Sequence, residues 1–112
     1  KNPPSNLTIS LEKAPEKLIA NQEATVRFRL LKENKGISLK DMNEVHTAKI
    51  HLLVIDPSLT DYHHIHPTVD NQKQDLVFSF TPKKDGIYRV WADITPTTTN
   101  KQEFLMVDIG TP

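Results

Sequence analysis

Imidazole is the side chain here most able to do chemistry, and the chain places it unevenly. Its five histidines, His46, His51, His63, His64 and His66, fall within 21 of the 112 residues, and the other 91 have none. Neutral imidazole is a proton acceptor near physiological pH and a ready ligand for copper and zinc. There is no cysteine, so thiolate nucleophiles, zinc ribbons, iron–sulfur clusters and disulfides are excluded. A histidine cluster without thiolates points either to an imidazole metal site or to a solvated patch that titrates near pH 6.5.

The spacing suggests how the rings meet. Lys49 to Ile55 is a β-branched apolar run and reads as a buried strand. Tyr62 to His66 follows after Asp56–Asp61, and Pro67 ends it. If Ile55 pairs with Tyr62 in an antiparallel hairpin, Leu53 faces His64 and His51 faces His66. Opposed Cβ atoms then lie about 4.5–5.5 Å apart, close enough for two imidazoles to share a cation. His64 falls on the same face as His66, two residues away, and His63 falls on the other. His46 reaches that face only if the chain bends near Thr47. A one-residue slip would divide the histidines between faces.

Other groups are weaker candidates. Asp93 ends the run Trp91-Ala92-Asp93, where a carboxylate could ligate the cation, orient a ligating histidine, or simply precede a turn. Met42 offers a thioether to Cu(I) or serves as hydrophobic filler. Trp91, Tyr88 and Met106 read as core, and Arg27 and Arg29 as a solvated face. No serine sits in a nucleophile elbow, and three glycines leave no phosphate-binding loop. Glu44 or Asp61 could act as a general base, but nothing singles either out. A binding protein, not an enzyme, is therefore expected.

The elements that must position these groups are strands. Leu7, Ile9 and Leu11 alternate with polar residues, as do Val26, Phe28 and Leu30 against Arg27 and Arg29. Glu33-Asn34-Lys35-Gly36 reads as a turn, and Leu18-Ile19 as at most a helical turn. Leu76–Phe80, Ile87–Ile94 and Glu103–Ile109 complete about seven strands with no convincing helix. The expected fold is all-β: an immunoglobulin-like sandwich of antiparallel strands. Residues 1–13 form an arm and first strand, and 7–112 a single domain. Lys and Arg total 14, as do Asp and Glu, so the basic surplus of a nucleic-acid binder is missing. No apolar run reaches the roughly 20 residues of a spanning helix.

Several stretches together resemble a known family. These are Ala14-Pro15, Ala20 to Thr25, Val26–Leu30, Gly36, Ile50 to Ile55, Leu59 to Pro67, Gly86 to Asp93, Pro96 and Gln102. The most specific is Tyr62-His63-His64-Ile65-His66-Pro67, an aromatic followed by x-His-x-His-Pro. Over residues 14–112 the chain is similar to bacterial exported immunoglobulin-like domains of the YtkA-like type, associated with copper handling and heavy-metal transport. His46, His51, His64 and His66 match that pattern's histidines and His63 its variable position, while Asn21 replaces a usual glycine. The resemblance implies a periplasmic or extracellular protein. It is consistent with a chain opening on Lys1 after removal of a signal peptide, though a trimmed fragment would begin the same way.

The expected function is capture of a copper ion, with zinc as alternative, by His46, His51, His64 and His66, with Asp93 in support. A metal-transport or metal-receiving protein is the expected partner. The competing expectation is a non-metal interaction domain carrying a pH-sensitive histidine patch. A small metal-dependent enzyme is a third.

Overall fold

The structure is a computed structural model that describes residues 7–32, 35–36, 49–73, 75–95 and 100–112. Its strands are β1 (Leu7–Lys13), β2 (Ala24–Lys32), β3 (Lys35–Gly36), β4 (Lys49–Ile55), β5 (Tyr62–Ile65), β6 (Thr68–Asp70), β7 (Asp75–Phe80), β8 (Tyr88–Thr95) and β9 (Glu103–Ile109). One antiparallel sheet runs β1-β2-β7-β6, with β3 also on β2, and the other runs β5-β4-β8-β9. That order is the A-B-E-D and C′-C-F-G arrangement of an immunoglobulin-like sandwich.

The strands exist because their apolar residues alternate. Val26, Phe28 and Leu30 of β2 and Leu76, Phe78 and Phe80 of β7 face Leu52 and Val54 of β4 and Tyr88, Val90, Ala92 and Ile94 of β8, all buried. Phe80 sits edge-on to Tyr88 with centroids 5.5 Å apart. Tyr88 opens β8, and its hydroxyl donates to Asp61 Oδ2 and accepts from the Lys84 N–H. This anchor resembles the tyrosine corner of such sandwiches.

Several expectations need correction. Two short strands, β3 and β6, were not anticipated: Lys35–Gly36 pairs back on β2, and the chain resumes pairing at Thr68 directly after Pro67. Leu18 starts no helix; it is buried and bridges to Gly86. Trp91 and Met106 are not core but 42% and 48% exposed. Their strand parity puts them on the outer face, which decides the matter against their hydrophobicity. Arg27 is half-buried between Asp70 and Asp75, at 2.9 and 3.0 Å. Met42, Glu44 and His46 lie outside the described residues.

Candidate functional site

The site begins with the loop that joins β4 to β5. Asp56 is buried at its start, and its carboxylate organises the turn. Oδ1 accepts from the N–H groups of Thr60 and Asp61, at 3.0 and 2.8 Å. Oδ2 accepts from the Ser58 N–H and hydroxyl, and Lys84 Nζ lies 3.5 Å away. The Ser58 hydroxyl and the Asp61 and Thr60 amides hold the Asp56 carboxyl far below the usual carboxylate range, against its burial. Asp56 N–H in turn donates to the Asp61 carbonyl. The loop therefore closes with Ile55 opposite Tyr62.

That closure sets the register. Ile55 pairs with Tyr62, Val54 with His63, Leu53 with His64 and Leu52 with Ile65, and the His51 and His66 rings meet just beyond the last pair. Ring centroids are 4.6 Å apart for His51 and His66, 5.5 Å for His51 and His64, and 5.3 Å for His64 and His66. One ring nitrogen from each lies within 4.8 Å of the other two. Nitrogens bound at roughly 2.0–2.1 Å to a tetrahedral cation sit about 3.3 Å apart. Modest ring rotation closes the difference, at most about 1.5 Å. His51 is half-buried and the other two are exposed, so the cluster is preorganised yet open to solvent.

Asp93 lies within β8 rather than at its end, paired directly with His51. Its carboxylate is engaged elsewhere: Gln102 Nε2 donates to both oxygens, at 2.9 and 3.0 Å. The structure thus brings His51, His64 and His66 together and sets Asp93 beside His51 outside that trio. Nothing in the local sequence marks Gln102 as a partner of Asp93. It precedes β9 and reaches Asp93 only because β9 pairs with β8, which no local pattern reveals.

His63 points to the other face. Its ring stands edge-on to Phe80 at 5.2 Å, and Nε2 lies 3.1 Å from Asp61 Oδ1, off-line for a hydrogen bond. Asp61 is buried, which alone would raise its pKa. Hydrogen bonds from the Tyr88 hydroxyl and the Lys83 N–H, with the neighbouring His63 ring, outweigh burial and lower it. Burial and the Asp61 carboxylate together push the Tyr88 phenol up to about 12. So engaged, Asp61 is a structural group and not a free general base.

Beside the trio the outer face of the sheet also carries exposed apolar side chains. His64 lies in one cross-strand row with Leu53, Trp91 and Met106, and Phe104 pairs with Asp93. The other sheet's outer face is polar by contrast, with Thr25 bonded to Ser79 and Arg29 near Glu12.

Residues 4–109 match the model of a domain of unknown function, DUF8832, and the chain belongs to that family. No curated protein matches. A solved conjugative transposon lipoprotein from Bacteroides eggerthii DSM 20697 is similar in structure at 14% identity and a TM-score of 0.46, covering 93% of this chain and 96% of that one. Among the described residues no helix is long and apolar enough to cross a membrane.

Proposed function

We propose that this DUF8832 member is an exported metal-binding protein that captures a copper ion through His51, His64 and His66. The observation that carries the reading is the convergence of three imidazole nitrogens within 4.8 Å on one open sheet face. Three neutral nitrogen donors without thiolate suit Cu(II) and Zn(II), and the general affinity order favours Cu(II) at equal availability. The resemblance to YtkA-like domains points the same way and supports a periplasmic or cell-surface location. Asp93, held by Gln102, orients His51 or supplies a fourth ligand once Gln102 yields, and His46 is a further ligand from the segment before β4. An open site of this kind releases its ion by ligand exchange with a metal-transport or metal-receiving protein.

Trp91, the only tryptophan, lies diagonal to His51 across the β4–β8 pair, about 7–8 Å away in Cα position. Cu(II) bound at the trio should quench its fluorescence. Titration of chelator-treated protein with Cu(II) and Zn(II) should give one site per chain. The double variant His51→Ala/His66→Ala should lose at least about 100-fold in affinity. Protons compete with the ion for the imidazole nitrogens, so binding should weaken as pH falls. Unchanged stoichiometry and affinity in the double variant would reject the site.

A second reading, a non-metal interaction domain, is favoured by the exposed apolar residues beside the histidines. The two readings share one face.

A further inference from the structure

The two outer faces of the sandwich are unlike. On the β5-β4-β8-β9 sheet, Tyr62, Trp91, Phe104 and Met106 are between 42% and 64% exposed. Exposed aromatic and Met side chains gathered on one face mark an interaction surface. The loop at its end adds relief. Leu59 stands 70% exposed at φ 62°, in the left-handed region that a branched side chain seldom adopts. The hydrogen bonds to Asp56 on either side of Leu59, and from its own N–H to the Asp56 carbonyl at 3.0 Å, hold it there. Leu59 also lines one wall of a cavity of about 350 Å³, whose other walls include Ile87, Arg89, Trp91 and Asp108. A strained, projecting apolar knob and a hole therefore share one surface.

We infer that this face binds a second copy of the same chain, with Leu59 of each copy seated in the cavity of the other. A knob and a hole on one surface are what an isologous two-fold contact requires. A dyad parallel to the strands, between β4 and β8, lays β5 over β9 and β4 over β8. It carries the Leu59 loop, which joins β4 to β5, onto the β8–β9 side of the second copy, where Arg89, Trp91 and Asp108 line the cavity. The same operation sets Leu53 against Trp91 and the histidine edge against Met106 and Phe104. Electrostatics do not oppose it. The chain's formal net charge is zero, and Arg89 and Asp108 neutralise each other through bonds of 2.7 and 3.1 Å. The 7, 4, 8 and 7 residues of β4, β5, β8 and β9 give a flat footprint of roughly 410 Å². Side-chain relief and the loop bring this toward the ~800 Å² per partner of a standard interface, so a micromolar dimer is expected. The dimer requires no metal.

Sedimentation equilibrium on chelator-treated protein from about 1 to 500 µM tests it. The wild type should show monomer–dimer exchange. Leu59→Gly, which removes the knob and relieves the backbone, and Phe104→Glu should each weaken dimerisation at least tenfold with an unchanged circular dichroism spectrum. Ser79→Lys, on the outer face of the other sheet, should leave it intact. A wild type monomeric at 500 µM, or a dimer indifferent to both Leu59→Gly and Phe104→Glu, overturns the inference and leaves the face to a different protein.

Discussion

At the scale of single residues, two buried carboxylates do most of the organising, and each is surrounded by donors. Asp61 takes bonds from Tyr88 and the Lys83 amide while His63 leans on it. The phenol's pKa is raised in the folded state to about 12 from an ordinary value of 10. A raised pKa contributes stability that is complete below about pH 10 and is lost as pH climbs through 12. Wild-type urea midpoints should therefore fall over that window. Tyr88→Phe should lack this alkaline loss and start lower at pH 7, by about 1.5–3 kcal/mol for the missing bond to a charged acceptor. Equal alkaline slopes in both proteins would show that the Tyr88–Asp61 bond does not carry the effect.

At the scale of elements, the β4–β5 hairpin turns sequence spacing into a site. Its register was legible because Ile55 and Tyr62 bracket a loop of defined length, and parity then fixed the faces of His51, His64 and His66. Parity also set His63 on the inner face. The device that enforces the register was not legible, because Asp56 acts through amides of its own loop and reads in sequence as a mere strand breaker. Asp56→Ala removes no ligand, yet frees Ser58, Thr60 and Asp61 from their common acceptor. Cu(II) affinity should fall roughly tenfold, as for other supports of metal ligands. Isothermal titration at fixed pH reads this directly, and unaltered affinity would mean the hairpin holds its register without the carboxylate.

At the scale of the whole molecule, the sandwich separates a polar face from one bearing the histidines and apolar rings, and tight backbone contacts close one end of it. Gly110 has φ 78°, and a Cβ there would stand 2.5 Å from the Gly86 carbonyl oxygen and 3.0 Å from Leu18 Cγ. Leu18 and Gly86 are themselves bridged, so the three positions bring the β1–β2 connection, the turn before β8 and the chain after β9 together. Gly110→Ala should cost roughly 2–4 kcal/mol from left-handed strain plus the clash. That predicts a thermal midpoint lower by about 8 °C or more for a domain of this size. An unchanged midpoint would show that the chain after β9 yields freely.

Composition and period-two alternation were enough to determine an all-β sandwich, the strands of its core and the hairpin on which three histidines share a face, because each depends on neighbours close in sequence. Which hydrophobic residues stay outside, as Trp91 and Met106 do, was decided by pairing between β4, β8 and β9. So were the partnership of Asp93 with Gln102 and the meeting of Gly110 with Leu18 and Gly86. Those depend on contacts between distant segments, and only the assembled sheets determine which side of a strand looks onto the core.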